Sequence, residues 1–112
     1  MRVTSGFFVS ALLKRLNSAS CFAALRRRGA EEAGAIFICV DMLEGQCRLY
    51  GPAPPDFDSP DDGGRRFTEI QPGKQLTPLD ASERLAKEIS FDSDIWIVDI
   101  EDRSGARHRD FF

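Results

Sequence analysis

Asp99 and Arg15 are the two charged side chains whose positions most strongly suggest chemistry. Asp99 shares a strand face with Ile95 and Ile97, in a segment that is apolar on both faces. A carboxylate in that position is costly unless it has a partner. Arg15 lies inside the apolar arc of an amphipathic helix and is a natural partner. We predict an ion pair between them, which is either structural or the polar floor of a ligand pocket.

Arg26, Arg27 and Arg28 form a basic run that could contact phosphate, because nucleic-acid binding draws on clustered Lys and Arg. On a strand, however, consecutive side chains alternate between the two faces, so the three guanidinium groups would not form one patch. The run is also typical of a solvated or salt-bridged strand. Nucleic-acid binding is therefore an alternative and not the leading hypothesis.

The acidic loop offers oxygen ligands but no recognisable metal motif. Its aspartates are Asp56, Asp58, Asp61 and Asp62. Their spacing matches no EF-hand loop, and the flanking prolines keep the carboxylates from converging. We interpret the segment as a solvated acidic loop and predict neither a metal site nor a cofactor.

Catalytic groups are scarce in this chain. Cys21, Cys39 and Cys47 are widely spaced and form no CxxC pair, which favours free thiols in a reducing cytoplasm. His108 is the only histidine and lies near the C-terminus. The GxSxG and GxxxxGK[ST] motifs are absent. The sequence thus assigns no catalytic residue, although enzymes that use only carboxylates remain open.

Size and charge define the broad class of protein. At 112 residues the chain is expected to form one domain. Its first 29 residues carry six basic and no acidic side chains, whereas residues 30–64 carry eight acidic and one basic. Such a split indicates either an anionic partner or complementary regions of one fold. No apolar run approaches the ~20 residues of a membrane span, and the one at 6–13 is short for a signal peptide. We expect a cytoplasmic location without membrane contact.

The elements that must position these residues follow from periodicity and turn signals. Thr4 or Ser5 can cap a helix over 6–18, and Asp80 with Glu83 can cap a second helix that ends near residue 90. Short apolar or alternating runs indicate strands. Strands are predicted at 22–28, paired with the next strand, at 35–41, 47–50 and 65–70 (an edge strand), and within 91–102, with a loop at 51–64. Residues 21–28 could form a helix instead, since alanine, leucine and arginine favour helix by propensity.

The order α-β-β-β-β-α-β predicts an α+β fold. We expect a two-layer sandwich in which an antiparallel or mixed sheet of four to five strands carries both helices on one face. Residues 1–103 would form the domain, and residues 104–112 a flexible C-terminal tail.

The chain also resembles a bacterial family. The resemblance covers most of residues 3–103 and rests on Phe8-Val9-Ser10-Ala11-Leu12 with Arg15, on Arg28-Gly29 with Ala33-Gly34-Ala35, on Leu49-Tyr50-Gly51-Pro52-Ala53-Pro54, and on 91–103. These stretches resemble the alphaproteobacterial domain-of-unknown-function family number 1491, which usually has proline at the position of Ser93. The resemblance implies a bacterial cytoplasmic protein of about this length. It implies no activity and no functional residue.

Three functional hypotheses follow. The first is a non-enzymatic protein-interaction or regulatory module, with a second copy or another protein as partner, because the helix at 6–18 and the edge strand at 65–70 offer surfaces. The second is a nucleic-acid-binding protein that uses the basic N-terminal region. The third is a small-ligand binder or enzyme that uses Arg15 and Asp99.

Overall fold

The computed structural model describes residues 3–54 and 65–112, which form two α-helices, five strands and a short 3₁₀-helix. In chain order they are α1 (Ser5–Ser18), β1 (Ala23–Arg27), β2 (Ile36–Asp41), β3 (Cys47–Pro52), β4 (Phe67–Ile70), α2 (Pro78–Phe91), β5 (Trp96–Glu101) and the 3₁₀-helix η1 (Arg107–Asp110). The predicted α+β class and element order are confirmed.

The five strands form one mixed sheet in the order β1-β5-β2-β3-β4. Only the β2–β5 pair is parallel. The prediction that β1 pairs with the next strand is wrong, because β5 lies between β1 and β2. Every position of β5 from Trp96 to Val98 is buried, so this apolar strand gains from a neighbour on each edge. The predicted edge strand at 65–70 does lie at the edge, as β4.

The two helices cover opposite faces of the sheet, so the prediction of two layers with both helices on one face is wrong. Val9, Leu12 and Leu16 of α1 pack with the even-numbered residues of β2 and β5, among them Trp96. Ala81 and Leu85 of α2 pack with the odd-numbered residues on the other face. Because β2 and β5 are apolar on both faces, each face needs its own cover, and one helix layer cannot supply both.

Both helices begin at a capping residue. The Thr4 hydroxyl accepts the Phe7 N–H at the start of α1, which confirms one of the two predicted caps. For α2 the predicted capping residue is wrong by three positions. Thr77 is the N-cap and Asp80 is the reciprocal partner of a capping box, with Pro78 at the first helical turn. The box starts three residues earlier because Thr77 can accept the Asp80 N–H.

The C-terminal segment is packed against the α1 face, so the prediction of a flexible tail at 104–112 is wrong. His108 has no exposed surface, and Phe111 and Phe112 pack on the core beneath α1. The Phe112 ring meets the rings of Tyr50 and Phe67 edge-on at 5.1 and 5.4 Å. These contacts are tertiary, and the segment has no periodic pattern from which they could be predicted.

The connection at 28–35 is held against the start of β5 by close backbone contacts. The Trp96 indole N–H donates to the Ala30 carbonyl at 2.7 Å, and the Ala30 N–H donates to the Asp94 carbonyl. A Cβ on Gly34 would lie 2.3 Å from that same Asp94 oxygen. The Gly34 carbonyl in turn accepts the buried Ser5 hydroxyl at 2.6 Å. This connection therefore needs glycine because backbone meets backbone there.

We expect Gly34→Ala to lower the free energy of unfolding by about 3 kcal/mol, since the new methyl group must displace backbone. Gly45→Ala is the control: Gly45 has φ +75° but open space around it, so only a left-handed backbone cost of about 1 kcal/mol applies. Urea denaturation of the two variants measures the difference. Equal losses would contradict the steric account of Gly34.

Candidate functional site

An open cleft of about 260 Å³ lies on the α2 face of the sheet. It is bounded by Asp41 and Glu101, the last residues of β2 and β5, and by Pro78 and Ser82 of the first turns of α2. The cleft therefore sits where two parallel strands end and a helix begins. In sheets with parallel strands this is a frequent position of ligand sites.

Two rows of side chains, each in register across neighbouring strands, form the cleft. The rim row consists of Phe22, Glu101, Asp41 and Cys47. The Glu101 N–H donates to the Phe22 carbonyl, Glu101 is opposite Asp41, and Asp41 is opposite Cys47. The floor row, one pleat further in, consists of Ala24, Asp99, Cys39 and Leu49. All but Leu49 line the cleft, and Ala24 is small enough to leave room above the floor.

Asp99 has an arginine partner, but it is Arg26. The Arg26 Nε and Nη2 atoms donate to the two carboxylate oxygens of Asp99 at 2.9 and 2.6 Å. This hydrogen bonding raises the pKa of the Arg26 guanidinium. Arg26 falls at an irregularity in the β1–β5 register, between Leu25 and Arg27, which lets its side chain reach Asp99. The pair borders the cleft and is about a third exposed on each side.

The predicted Arg15–Asp99 pair is wrong because the sheet separates the two residues. Arg15 belongs to α1, which covers the face of Trp96, whereas Asp99 lies on the α2 face. Arg15 donates instead to the Phe111 carbonyl at 3.4 Å, and its guanidinium lies 5.6 Å from the centre of the Phe111 ring. It therefore helps to hold the C-terminal segment and lines no pocket with Asp99.

The arginine run is divided among separate local contacts. Arg26 binds Asp99, Arg27 donates to the Ser93 carbonyl at 2.8 Å, and Arg28 lies 3.8 Å from Glu31 and above the Trp96 ring. The structure does not bring the three guanidinium groups into one patch, as expected for a strand. No observation in the described residues favours a phosphate-binding surface here.

The cysteines in and near the cleft are poor nucleophiles. Burial raises the pKa of the Cys39 thiol to about 12. Burial likewise raises the pKa of Cys47 and of Cys21. All three cysteines are free. Because the thiolate is the reactive form, the raised pKa values make these thiols less reactive than an exposed cysteine.

A buried Asp–His–Tyr cluster, which no sequence pattern predicted, lies on the opposite face of the sheet. His108 Nδ1 is 2.7 Å from Asp102 Oδ2, and Nε2 is 2.8 Å from the Tyr50 hydroxyl. The His108 backbone N–H also donates to Asp102. The His108 ring has no exposed surface, so the cluster cannot reach a ligand and serves to anchor the C-terminal segment. A lone histidine after the last strand gave no signal that could have identified it.

Burial alone would raise the pKa of Asp102, but hydrogen bonds from Ser104 and His108 outweigh burial and hold it at about 2. The carboxylate is thus ionised over the ordinary pH range. Three groups hydrogen-bond to the carboxylate: the Ser104 hydroxyl, the His108 backbone N–H and the His108 ring. A buried carboxylate needs such partners.

The predicted loop aspartates Asp56, Asp58, Asp61 and Asp62 lie outside the described residues. Within 3–54 and 65–112, no group of three or more His, Cys, Asp or Glu side chains is arranged to hold a metal ion. In the described part of the chain, no helix has the length and apolar character needed to cross a bilayer.

Fold and cleft together define a small α+β protein with a mixed five-stranded sheet, a helix on each face and an open cleft at the ends of its parallel strands. The model of the family described as "Protein of unknown function (DUF1491)" matches residues 3–110. The chain belongs to this DUF1491 family, as the sequence resemblance indicated.

Solved structures of relatives share the fold. The solution structure of a protein from A. tumefaciens is 41% identical, with a TM-score of 0.76, over 91% of this chain and 87% of that one. The crystal structure of a DUF1491 family protein from Caulobacter crescentus is 29% identical, with a TM-score of 0.75, over 96% and 93% of the two chains. No curated protein matches the sequence. The family is one of unknown function, so the comparisons suggest no activity for the cleft.

A double-mutant cycle tests the Arg26–Asp99 pair. We expect Arg26→Ala and Asp99→Ala to be coupled by about 1 kcal/mol in the free energy of unfolding, since the pair is two-pronged but more than a third exposed. The matched cycle of Arg15→Ala with Asp99→Ala should be additive. Coupling in the second cycle and none in the first would contradict the observed pairing.

Acid unfolding tests the buried cluster. The pKa of Asp102 lies below its unfolded value of about 3.9, so its contribution is fully present above that pH and is lost as pH falls through about 2. The shift corresponds to about 2–3 kcal/mol. Asp102→Asn should lower stability at neutral pH and flatten its acid dependence, as measured by urea denaturation between about pH 5 and 2. Asp110→Asn, an exposed control, should leave the acid dependence unchanged. An equally steep loss in Asp102→Asn would refute the assignment.

Proposed function

We propose that this protein is a non-enzymatic protein-binding module and that the cleft on the α2 face is where it contacts its partner. The observation that carries the proposal is the rim row, in which an exposed aromatic ring is followed by two carboxylates on the next two strands. Phe22 is 57% exposed at the mouth of the cleft. An exposed ring beside charged groups is typical of the anchoring contacts of protein interfaces.

The size of the cleft supports a partner side chain as its occupant. Pockets for whole small molecules are usually about 300–1,000 Å³ and enclose most of the ligand. The cleft is smaller, at about 260 Å³, and open to solvent. It is suited to one side chain presented by another surface.

The chemistry of the cleft supports a binding role over a catalytic one. The thiols of Cys39 and Cys47 are protonated because of their raised pKa values. Arg26 and Asp99 neutralise each other in a two-pronged ion pair. His108 lies enclosed on the other face of the sheet. No activated nucleophile therefore borders the cleft among the described residues.

The helix surface suggested by the sequence is less suitable than the cleft, and one of the two sheet edges is partly occupied. The apolar arc of α1 is largely used internally, since Val9, Leu12 and Leu16 are buried, although Phe7 is 63% exposed. At the β1 edge of the sheet, which is opposite the edge formed by β4, the Asn17 side chain donates to the Ala23 carbonyl at 2.9 Å and accepts the Ala23 N–H at 3.0 Å. This amide occupies the start of the β1 edge and disfavours the addition of a partner strand there.

We also propose a reducing, cytoplasmic location. Three free cysteines, with Cys39 and Cys47 in adjacent rows of the cleft, support it because oxidising compartments favour disulfides. Fractionation of cells that express the tagged chain, with alkylation of free thiols at lysis, tests this placement. Recovery outside the cytoplasm or with oxidised cysteines would contradict it.

Quantitative capture from cells tests the binding role. We expect a set of proteins retained by the wild-type chain to be lost, at least fivefold, with Phe22→Ser, because removal of the ring lowers contact area at the mouth of the cleft. Phe91→Ser is the matched control, since Phe91 is 78% exposed at the opposite end of α2. Light scattering of the purified chain decides whether a second copy is the partner. If Phe22→Ser captures the same proteins as the wild-type chain and has the same mass by light scattering, the proposal is overturned.

A further inference from the structure

We propose that the cleft recognises an arginine side chain of the partner protein, held between the Phe22 ring and the carboxylates of Asp41 and Glu101. The inference deepens the proposed function and rests on it. It follows from the register of the rim row, from the charge that row leaves without a counter-charge, and from the shape of the cleft.

Asp41 and Glu101 stand directly beside each other on the parallel strands β2 and β5. Both side chains line the cleft. Like charges on neighbouring strands repel each other and destabilise the sheet. The arrangement is therefore one that a bound cation would stabilise.

The described part of the chain supplies no cation to these two carboxylates. Arg26, the arginine that lines the cleft, is engaged by both oxygens of Asp99 in the floor row. Asp41 Oδ1 accepts the Leu43 N–H at 2.8 Å, which fixes the carboxylate without neutralising it. Within residues 3–54 and 65–112, neither Asp41 nor Glu101 forms an ion pair. The charge of the rim is thus open to a group from outside.

The neighbour of Glu101 in the same row is Phe22. A cation over an aromatic ring is attracted by the negative face of the ring, and arginine is the residue that most often makes this contact. One row thus offers a ring face and two adjacent carboxylates, which are the two groups that bind a guanidinium.

Arginine fits this row better than lysine does. A guanidinium is planar, donates in a fixed fork to carboxylate oxygens and stacks on rings, whereas an ammonium is a compact and strongly hydrated charge. Across one parallel strand pair the two carboxylates are about 5 Å apart at the backbone, a span that a fork can bridge. The apolar stem of the arginine would pass Pro78 at the wall of the cleft.

Titration with blocked arginine (N-acetyl-arginine amide), followed in ¹⁵N–¹H spectra of the full chain, tests the inference. We expect saturable shifts of the amide signals of Phe22, Asp41 and Glu101, with a Kd on the order of 1–10 mM for an isolated side chain. The double variant Asp41→Asn with Glu101→Gln should bind at least tenfold more weakly. Glu32→Gln with Glu69→Gln is the control, since it removes the same charge outside the cleft and should bind as wild type does.

The other outcomes of these titrations overturn the inference, the assignment to arginine or the proposed function. Blocked citrulline, which lacks the charge, should not bind, and binding as tight as that of arginine would overturn the inference. Blocked lysine that binds as tightly as arginine would overturn the assignment to arginine. Absence of saturable shifts with blocked arginine overturns the inference, while the proposed function still stands if capture depends on Phe22. Capture independent of Phe22 overturns the proposed function even if arginine binds.

Discussion

The position of β5 inside the sheet, with most of its side chains buried, is the constraint on which the rest of this structure depends. The strand is paired on both edges, antiparallel with β1 and parallel with β2, and it is apolar on both faces. A strand in that position needs a cover on each face, which explains why α1 and α2 lie on opposite sides. It also explains why the connection at 28–35 crosses the start of β5, where Trp96 bonds to Ala30, and why β1 does not form a hairpin with β2.

The same constraint creates the cleft. Asp99 places a carboxylate on an otherwise apolar face of β5, and Arg26 reaches it through an irregularity in β1. Ala24 beside this pair is small, and the space above it stays open because α2 does not cover it. At the rim, β2 and β5 end in the charged residues Asp41 and Glu101, at the point where the two parallel strands leave the core. The neutral floor and the acidic rim are consequences of one buried strand.

Polar groups buried on the α1 face have a structural role. The Asp102–His108–Tyr50 cluster, with a hydrogen bond from Ser104 to Asp102, joins the C-terminal segment to the sheet. Arg15 adds a contact to Phe111 of that segment. The two faces thus differ in kind: one has polar groups that are enclosed and satisfied, and the other has carboxylates that remain open to a partner.

The sequence by itself determined the local elements, because capping residues and apolar periodicity act over a few neighbouring positions. It placed both helices, the strands and the edge position of β4, and it required a partner for Asp99. It could not determine that the partner is Arg26, that β5 separates β1 from β2, or that residues 104–112 pack through His108. Those features depend on contacts between residues far apart in the chain, and no local pattern encodes them. The rim row is of the same kind: Phe22, Asp41 and Glu101 have unremarkable local contexts, and only the strand register brings a ring and two carboxylates together.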